Sequence, residues 1–259
     1  KTQDPRPKTK NQFGRIGVLI GGPSTEREIS FKSGKAVYEN LKQFGLAVSA
    51  IDIKTDDKAE NIRLIRAHPI NCAFLALHGH FGEDGQIQEI LDTLKIPYTG
   101  SGVNASRLAM DKIASRHIFA ANGLNVPKYK VLDKISYVKL SDNNLTLPWV
   151  IKPATHGSSI GLSIIDKKEE LAQALGLAFG FDERVIIEEF IKGREITVGI
   201  LDEQTLPAIE IIPKKRFFDY EAKYQPGMTD YIAPAKLEAK VLKQINTAAL
   251  SAHRLLGCF

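Results

Sequence analysis

Along the first third of the chain, segments with the apolar spacing typical of strands alternate with segments that have the spacing typical of helices. Short apolar runs, RIGVLI, LAVSAIDI and CAFLALHG, predict three buried strands. Amphipathic segments predict three helices, TEREISFKSGKAVYENLKQFG, KAENIRLIRAH and GQIQEILDTLKI. Strands that alternate with helices indicate a parallel sheet, so we predict an α/β domain over residues 13–110. Ligands of such sheets bind beyond the carboxyl ends of the strands, here at Gly21-Gly22 and His78-Gly79.

The pattern changes after residue 110 to that of an α+β unit. A helix, KIASRHIFAANGL, and a strand, KYKVL, precede two β-rich runs on either side of the glycine and serine residues of VIKPATHGSSIG, which predicts a hairpin. The helix KKEELAQALGLAF and the strand RVIIEEFI complete this second unit, which we predict to span residues 111–192.

Antiparallel strands and a long helix are predicted for residues 193–259. The strands are EITVGILD, TLPAIEII and KKRFFDYEAKY, and the polar stretch QPGMTDYIAP leads into the helix. Apolar residues recur at three- and four-residue spacing between Leu237 and Leu255, and Gly257 is placed as the helix cap. The final CF is typical of the start of another strand, so we expect this third unit to be incomplete.

Composition and charge exclude several classes of partner. The chain has 259 residues and a formal net charge of +5, much of it in the lead KTQDPRPKTKNQ, which we expect to be a flexible or processed extension. The remaining charge is too small for a nucleic-acid surface, and no apolar run is long enough to cross a bilayer. Cys72 and Cys258 lie next to apolar residues, which is typical of buried thiols in a reducing compartment. We expect a cytoplasmic protein that binds neither nucleic acid nor a membrane.

Two loops in the first domain carry candidate chemistry. GGPSTERE follows a strand and begins a helix, where backbone amides attract anions. Thr25 and Glu28 match a capping box, whereas Glu26 is either an exposed first-turn carboxylate or a ligand-binding group. The histidines and acids of LHGHFGEDGQ either bind a metal, turn the chain or contact a small polar substrate, and the substrate contact is the favoured functional reading.

Two loops in the later part of the chain also carry candidate chemistry. VIKPATHGSSIG lacks the spacing of the common phosphate loop, because Lys152 precedes the glycine. Its tip either is a plain flexible hairpin or folds over phosphates, with Ser158 and Ser159 as donors and Lys152 as the charge. DYEAKY places Lys223 and Tyr224 after a predicted strand, either as surface groups or as catalytic groups on a loop.

The order and wording of these segments closely resemble the D-alanine-D-alanine ligases, which belong to the ATP-grasp superfamily. The segments that carry the resemblance are GGPSTEREIS, LHGHFGEDG, YTGSGVNAS, MDK, VIKPATHGSSIG, IIEEFIKGREITV and FFDYEAKY. It runs from about Ile16 to the last residue and implies an ATP-grasp fold behind an N-terminal Rossmann-like domain. It also implies ATP-dependent ligation of two D-alanines, through an acyl phosphate, to the dipeptide used in peptidoglycan.

The resemblance implies roles for individual residues. The implied catalytic residues, which bind the two D-alanines or act on the transferred group, are Glu26, His78, Ser158, Lys223 and Tyr224. The implied ATP-binding residues are Lys112 and Lys152 for the phosphates, Ser159, and the four residues of an adenosine pocket, Glu188, Ile191, Glu195 and Phe217. In the family, the counterparts of Glu26, Ser158 and Tyr224 form a hydrogen-bonded set that closes one loop on another. The resemblance also implies that tyrosine at position 224 favours dipeptide over ester synthesis.

The last segment of the family is absent from this sequence. Family members continue after an LGC-like segment into an arginine and aspartate pair and then a glutamate and asparagine, which supply oxyanion stabilisation and the ligands of two Mg²⁺ ions. The resemblance therefore implies no metal ligand up to Phe259, an incomplete active site in the chain as given, and a homodimer. Two alternatives stay open, namely an ATP-binding remnant without ligase activity, and a ligase that makes D-alanyl-D-lactate or uses D-serine.

Overall fold

The computed structural model of the protein describes residues 13–135 and 144–259, and the predicted flexible lead lies outside them. The chain divides into two compact units, with the division between Arg107 and Leu108. The predicted mixture of an α/β part with a parallel sheet and an α+β part with antiparallel sheets is confirmed. No described helix is both long and apolar enough to span a bilayer. The predicted limits of three domains, 13–110, 111–192 and 193–259, stay a prediction.

The first unit contains a three-stranded parallel sheet with the strand order β2-β1-β3. Its elements, with the helix that follows them, are β1 (Arg15–Gly21), α1 (Arg27–Gln43), β2 (Ala47–Ile53), α2 (Lys58–Arg66), β3 (Cys72–Leu75), α3 (Gln86–Leu94) and α4 (Val103–Met110). The three strands and the first three helices are as predicted, whereas α4 was not predicted.

The core of the first unit fixes the ends of its strands. Leu19 of β1 and Ile51 of β2 are almost completely buried and pack in one cluster with Ile87 and Leu91 of α3. Burying a side chain of this size stabilises the fold by about 1.5–3 kcal/mol. Because β1 is the central strand, its carboxyl end is held beside that of β3, where the candidate residues lie.

The second unit contains a four-stranded antiparallel sheet with the strand order β4-β7-β5-β6. Its elements are α5 (Lys112–Ala121), β4 (Tyr129–Asp133), β5 (Trp149–Pro153), β6 (Ser163–Ile165), a 3-10 turn (Lys168–Glu170), α6 (Leu171–Ala178) and β7 (Arg184–Glu189). The predicted hairpin is confirmed, since β5 and β6 are antiparallel with Val150 opposite Ile164. Trp149 and Ile151 of β5 anchor the sheet in a core with Leu175 of α6.

The same unit continues into a three-stranded antiparallel sheet with the order β12-β11-β8, and into a short ribbon of β9 and β10. The elements are β8 (Glu195–Thr197), β9 (Ile200–Leu201), β10 (Gln204–Thr205), β11 (Ile209–Pro213), α7 (Tyr220–Tyr224), β12 (Thr229–Ile232) and α8 (Ala239–Leu255). Gly257 follows α8 with a φ of 71°, as predicted for a helix cap.

The predicted strand KKRFFDYEAKY is wrong. Its second half is the short helix α7, because the Asp219 carboxylate accepts a hydrogen bond from the Ala222 N–H at 2.7 Å and caps the helix. The third strand of the sheet is instead β12, in the stretch that we expected to be an irregular connection. The buried core of α7 is Ala222, whose carbonyl accepts from Thr229 Oγ1 at 2.6 Å.

Cys258 and Phe259 follow the left-handed turn at Gly257 and are not paired as a strand, so the expected start of a strand there stays a prediction. The predicted burial of the two cysteines is wrong. Cys72 and Cys258 are half-buried rather than buried. Partial burial still raises the pKa of the Cys72 thiol.

Candidate active site

The carboxyl end of β1 makes a tight turn that fixes the start of α1. Gly21 and Gly22 both have a positive φ, of 82° and 89°. A Cβ at Gly21 would lie 2.4 Å from Asp52 Oδ1 and from Arg27 Nη1, so only glycine fits here. Arg27 Nη2 donates to both carboxylate oxygens of Asp52, at 2.7 and 2.9 Å, which ties the first turn of α1 to the end of β2.

Glu26 lies directly before α1 and is buried, with 4% of the residue exposed. The alternative of an exposed first-turn carboxylate is therefore wrong. The predicted capping box of Thr25 and Glu28 is also wrong, since α1 has Glu26 at its N-cap position and no side-chain cap. The turn is stabilised by Ser24 instead: its Oγ accepts from the Glu26 N–H at 3.1 Å and donates to the His78 carbonyl at 2.7 Å.

His78 follows β3 and lies in the same cluster as Glu26. Its Nε2 shares a hydrogen bond of 2.9 Å with Ser33 Oγ, and its Nδ1 lies 3.8 Å from Glu83 Oε1. Glu83 raises the pKa of His78; burial opposes the rise, and the charge of Glu26 adds to it. A Cβ at Gly79 would lie 2.6 Å from Glu26 Oε2, so glycine lets the loop pass under this carboxylate. The structure thus brings the predicted residues Glu26 and His78 together.

The second half of the loop LHGHFGEDGQ forms a turn of the chain. The Asp84 carboxylate accepts from the Phe81 N–H at 2.9 Å and lies 2.9 Å from His80 Nδ1. Burial would raise the pKa of Asp84, but His80 and the donors of the loop lower it to about 2. Within residues 13–135 and 144–259, no group of three or more His, Cys, Asp or Glu side chains is placed to hold a metal ion.

The second unit holds a cluster of cations around one buried carboxylate, which we call the cation cluster: Lys112, Arg116, Lys152 and Glu188. Glu188 of β7 is 5% exposed and accepts from Lys152 Nζ of β5 at 2.5 Å, while its other oxygen pairs with Arg116 of α5. Lys112 lies one turn before Arg116 on α5, and its charge acts on the same group. The three cations outnumber Glu188 and the nearby Asp182, whose charge also acts on Lys112, so the cluster attracts a further anion.

The pKa values of the two lysines are lowered mainly by burial, and the neighbouring cations add to the shift. Burial, followed by the charges of Lys152 and Arg116, lowers the pKa of Lys112 to about 8, although Asp182 and Glu188 oppose the shift. Burial likewise lowers the pKa of Lys152, with Glu188 as the main opposing group. An anion bound here would stabilise both lysines in their charged forms.

The cation cluster also supports the base of the hairpin tip, residues 154–162. Lys112 Nζ donates to the carbonyl of His156 at 2.5 Å and to that of Ala154 at 3.3 Å. Asp182 accepts from the N–H and the hydroxyl of Thr155, at 2.8 and 2.7 Å. These contacts fix the base of the tip, and the role of the tip over phosphates stays a prediction.

The end of the hairpin tip contacts α7 and the residue before its cap. Ser158 Oγ and Tyr224 Oη share a hydrogen bond of 3.1 Å, and Ser159 Oγ donates to the Phe218 carbonyl at 2.8 Å. Both serines have a positive φ, 51° and 57°, which is unfavourable for residues with a Cβ. The structure thus brings together the predicted pair Ser158 and Tyr224.

A cavity of about 620 Å³ lies beside β8 and β11, within the usual size range of small-molecule sites. It is lined by Ile191, Glu195 and Phe217, three of the four residues that we predict for the adenosine pocket. Glu188, the fourth, is not among its lining residues and belongs to the cation cluster. Burial raises the pKa of Glu195, and the charge of Lys223 opposes the rise, so the predicted residue Lys223 acts on this cavity wall.

Two cations of this unit, Arg116 and Arg216, were not predicted from the sequence. Arg116 pairs with Glu188 and lies over the ring of Tyr129, 5.1 Å from its centroid. Its position four residues after Lys112 on a predicted helix puts both on one face, a signal that was available. Arg216 lines the cavity and pairs with Asp166, but no local pattern marks it.

Comparison with known families gives two matches. Residues 55–101 match the family described as D-ala D-ala ligase N-terminus, and residues 118–259 match the family described as D-ala D-ala ligase C-terminus. A D-alanine–D-alanine ligase from Geotalea uraniireducens is 47% identical over 244 residues, which cover 94% of this chain and 77% of that protein.

Solved structures show the same similarity. A D-alanine–D-alanine ligase from Bacillus anthracis superposes with a TM-score of 0.81 at 37% identity, covering 94% of this chain and 79% of that one. A D-alanine–D-alanine ligase from Bacillus anthracis complexed with ATP gives a TM-score of 0.78 at 33% identity, covering 94% and 78%. A D-Ala:D-Ser ligase from Enterococcus faecalis gives 0.76 at 30% identity, covering 95% and 84%. With both family regions matched in order and this identity over nearly the whole sequence, the chain belongs to the D-alanine–D-alanine ligase family.

Proposed function

We propose that this protein is an ATP-dependent ligase that joins two D-alanines into D-alanyl-D-alanine for peptidoglycan synthesis. The names of its relatives support the reaction, and the ATP complex from Bacillus anthracis supports ATP as the co-substrate. The observation that carries the proposal is the buried cation cluster, in which Lys112, Arg116 and Lys152 exceed the charge of Glu188.

The first step of this reaction brings two anions together. A carboxylate oxygen of the first D-alanine attacks the γ-phosphorus of ATP, the bond to the ADP oxygen breaks, and an acyl phosphate forms. Two like charges about 4 Å apart repel by about 4 kcal/mol at an effective dielectric constant of about 20. Fixed cations offset this repulsion, because they need no reorganisation during the reaction. In our proposal Lys112 and Lys152 bind the ATP phosphates.

The adenosine part of ATP occupies the cavity beside β8 and β11 in this proposal. Its volume and its wall of Ile191, Glu195 and Phe217 support this placement. Glu188 contributes indirectly, by holding Lys152 next to the phosphates. Lys223 reaches the transferred phosphoryl group, and its electrostatic effect on Glu195 supports a position near the cavity.

The first D-alanine binds to Glu26 and His78 in this proposal. The buried carboxylate of Glu26 pairs with the ammonium group, and His78 orients the carboxylate. The raised pKa of His78 supports this role, since it favours the charged ring that an anionic carboxylate prefers.

The second step requires a closed site. The deprotonated amine of the second D-alanine attacks the acyl carbon, and the tetrahedral intermediate expels phosphate. Water that reaches the acyl phosphate would hydrolyse it, so a lid is needed. We propose that the hairpin tip and α7 form this lid with Ser158 and Tyr224 as its closing contacts, and that the backbone N–H of Ser159 adds a donor to phosphate. The hydrogen bond of Ser158 with Tyr224 supports the proposal.

Magnesium is also expected from the family resemblance. The described residues contain no group of three or more His, Cys, Asp or Glu that fits a metal ion, so no step is assigned to magnesium here. The use of two Mg²⁺ ions, the homodimer and the cytoplasmic location stay predictions.

Product analysis of the full-length protein tests the proposed function. With ATP, Mg²⁺ and D-alanine, we expect equal amounts of ADP and D-alanyl-D-alanine, measured by a coupled ADP assay and by mass spectrometry. L-alanine serves as the control substrate and should give neither product. ATP binding without dipeptide formation would contradict the proposal and favour a nucleotide-binding protein without ligase activity.

The D-Ala:D-Ser ligase among the similar structures gives a reason to test a second candidate product. D-alanine, D-serine and D-lactate are offered together at equal concentrations. We expect D-alanyl-D-alanine to predominate over the ester, because the family resemblance implies that Tyr224 favours dipeptide synthesis. We expect it to predominate over D-alanyl-D-serine, because the D-alanine–D-alanine ligases are more similar to this chain than the D-Ala:D-Ser ligase is. A predominance of D-alanyl-D-serine or of D-alanyl-D-lactate would favour the alternative ligase.

A further inference from the structure

We infer that Arg216 is a positioning residue of the ligase reaction, because it forms a latch with Asp166. The latch holds residues 214–224, the part of the lid that contains α7 and that we call the lid segment, on the β5-β6 hairpin. This inference rests on the proposed function. Arg216 Nη1 donates to Asp166 Oδ2 at 2.6 Å, and Nη2 donates to Oδ1 at 2.7 Å. Two parallel hydrogen bonds fix the orientation of the two groups as well as their separation.

The latch lies at the base of the hairpin, away from the serine contacts at its tip. Asp166 follows β6, the second strand of the hairpin, and Arg216 lies before the cap of α7. At the tip, Ser159 donates to Phe218 and Ser158 contacts Tyr224. The hairpin therefore holds the lid segment at both ends, and the latch fixes the angle at which the tip contacts reach α7.

Arg216 also connects the lid segment with the nucleotide cavity. Its guanidinium lies over the ring of Phe190, 5.9 Å from the centroid, and both residues line the cavity. The same guanidinium lowers the pKa of Asp166, so the pair stays charged at neutral pH. The latch thus joins three parts of the second unit: the hairpin, the lid segment and the cavity wall.

Stability alone does not explain this pair. The side chains of Arg216 and Asp166 are 45% and 55% exposed, and ion pairs in such positions contribute little to the stability of a fold. Loss of the pair should consequently leave the thermal midpoint of unfolding almost unchanged. Its effect should be on lid closure, which shows in how well ATP cleavage is coupled to dipeptide formation.

The test compares Arg216→Ala and Asp166→Ala with the wild type, all as full-length proteins. We expect kcat for dipeptide formation to fall roughly two- to fivefold in each, as for loss of one partly exposed pair. We also expect more than one ADP per dipeptide, because a loosened lid admits water to the acyl phosphate. High salt screens exposed charges, so it should lower the kcat and the coupling of the wild type toward those of the two variants.

Two controls separate positioning from general damage. Arg254→Ala breaks another exposed ion pair, with Glu203 at 2.9 Å, and should leave both kcat and coupling unchanged. The exchange of charges, Asp166→Arg with Arg216→Asp, should restore coupling relative to either single reversal.

The outcomes distinguish the latch from the proposed function. Normal kcat and coupling in Arg216→Ala would overturn the latch, as would a defect in Arg216→Ala that Asp166→Ala does not share, since Arg216 would then act through Phe190 alone. A wild-type protein without D-alanine-dependent ADP release would overturn the proposed function itself, before any variant is compared.

Discussion

The cation cluster and the latch both consist of paired acidic and basic side chains, but the cluster is buried and the latch is exposed. In the cluster, Arg116, Lys152 and Glu188 have side-chain exposures of 7–17%, whereas Arg216 and Asp166 of the latch are about half exposed. Two unit charges 4 Å apart interact by about 1 kcal/mol in water and by about 4 kcal/mol at an effective dielectric constant of about 20. In our proposal this difference suits two tasks: a buried cluster gives a permanent field for the ATP phosphates, and exposed contacts let the lid open and close.

Removal of Lys152 is the strongest test of this contrast. Lys152→Ala should lower kcat/KM for ATP by about 10²–10³-fold, because it removes a buried cation that acts on the transferred charge. ADP release with D-alanine measures the effect, and circular dichroism checks that the variant folds. Lys134→Ala is the matched control, since Lys134 pairs with Glu183 at the surface, and it should retain wild-type activity. A loss below tenfold in Lys152→Ala would remove the distinction between cluster and surface.

The pH dependence of ATP binding tests the charge of Lys112, a member of the buried cation cluster. With a pKa of about 8, Lys112 is charged below that pH and becomes neutral above it. Affinity for ATP should therefore be constant below about pH 8 and then fall by about tenfold per pH unit, as measured by calorimetry. Lys112→Arg is charged throughout and should bind ATP without this fall. The same pH slope in both proteins would assign the titration to another group.

Removal of the Tyr224 hydroxyl tests the proposed lid, for which we expect a smaller effect than for the cation cluster. Tyr224→Phe should lower kcat about fivefold, as for loss of one neutral hydrogen bond of about 1 kcal/mol. When D-lactate competes with D-alanine, the product should shift toward the ester. Tyr231→Phe, at an exposed position on β12, is the control and should change neither quantity. An unaltered product ratio in Tyr224→Phe would separate the lid contact from specificity.

Most of the fold could be predicted because the sequence pattern and the structure agree locally. The elements β1, α1 and β2 follow a strict spacing of apolar residues, and the hairpin has apolar runs on both sides of a glycine turn. The segment KKRFFDYEAKY was misread because its aromatic residues resemble a strand. The carboxylate of Asp219 is the signal that contradicts this reading, since it is a helix cap three residues before the buried Ala222.

The candidate site could be predicted only where local motifs carry it. Glu26 and His78 follow two strands of one parallel sheet, so their proximity could be foreseen. The burial of Glu26 could not, because it depends on how the loop at Gly79 passes the carboxylate. Asp166 and Arg216 form their pair across a long stretch of chain, through the folding of two sheets, and no spacing in the sequence indicates it.

The two left-handed serines give the hairpin tip an unusual energetic character. Glycine would adopt the backbone angles of Ser158 and Ser159 more easily, but it has no hydroxyl to reach Tyr224 or Phe218. Each serine therefore holds an unfavourable backbone angle by a contact of its own side chain. The two hydroxyl contacts thus offset the cost of the two backbone angles, and a tip without them would relax to other angles.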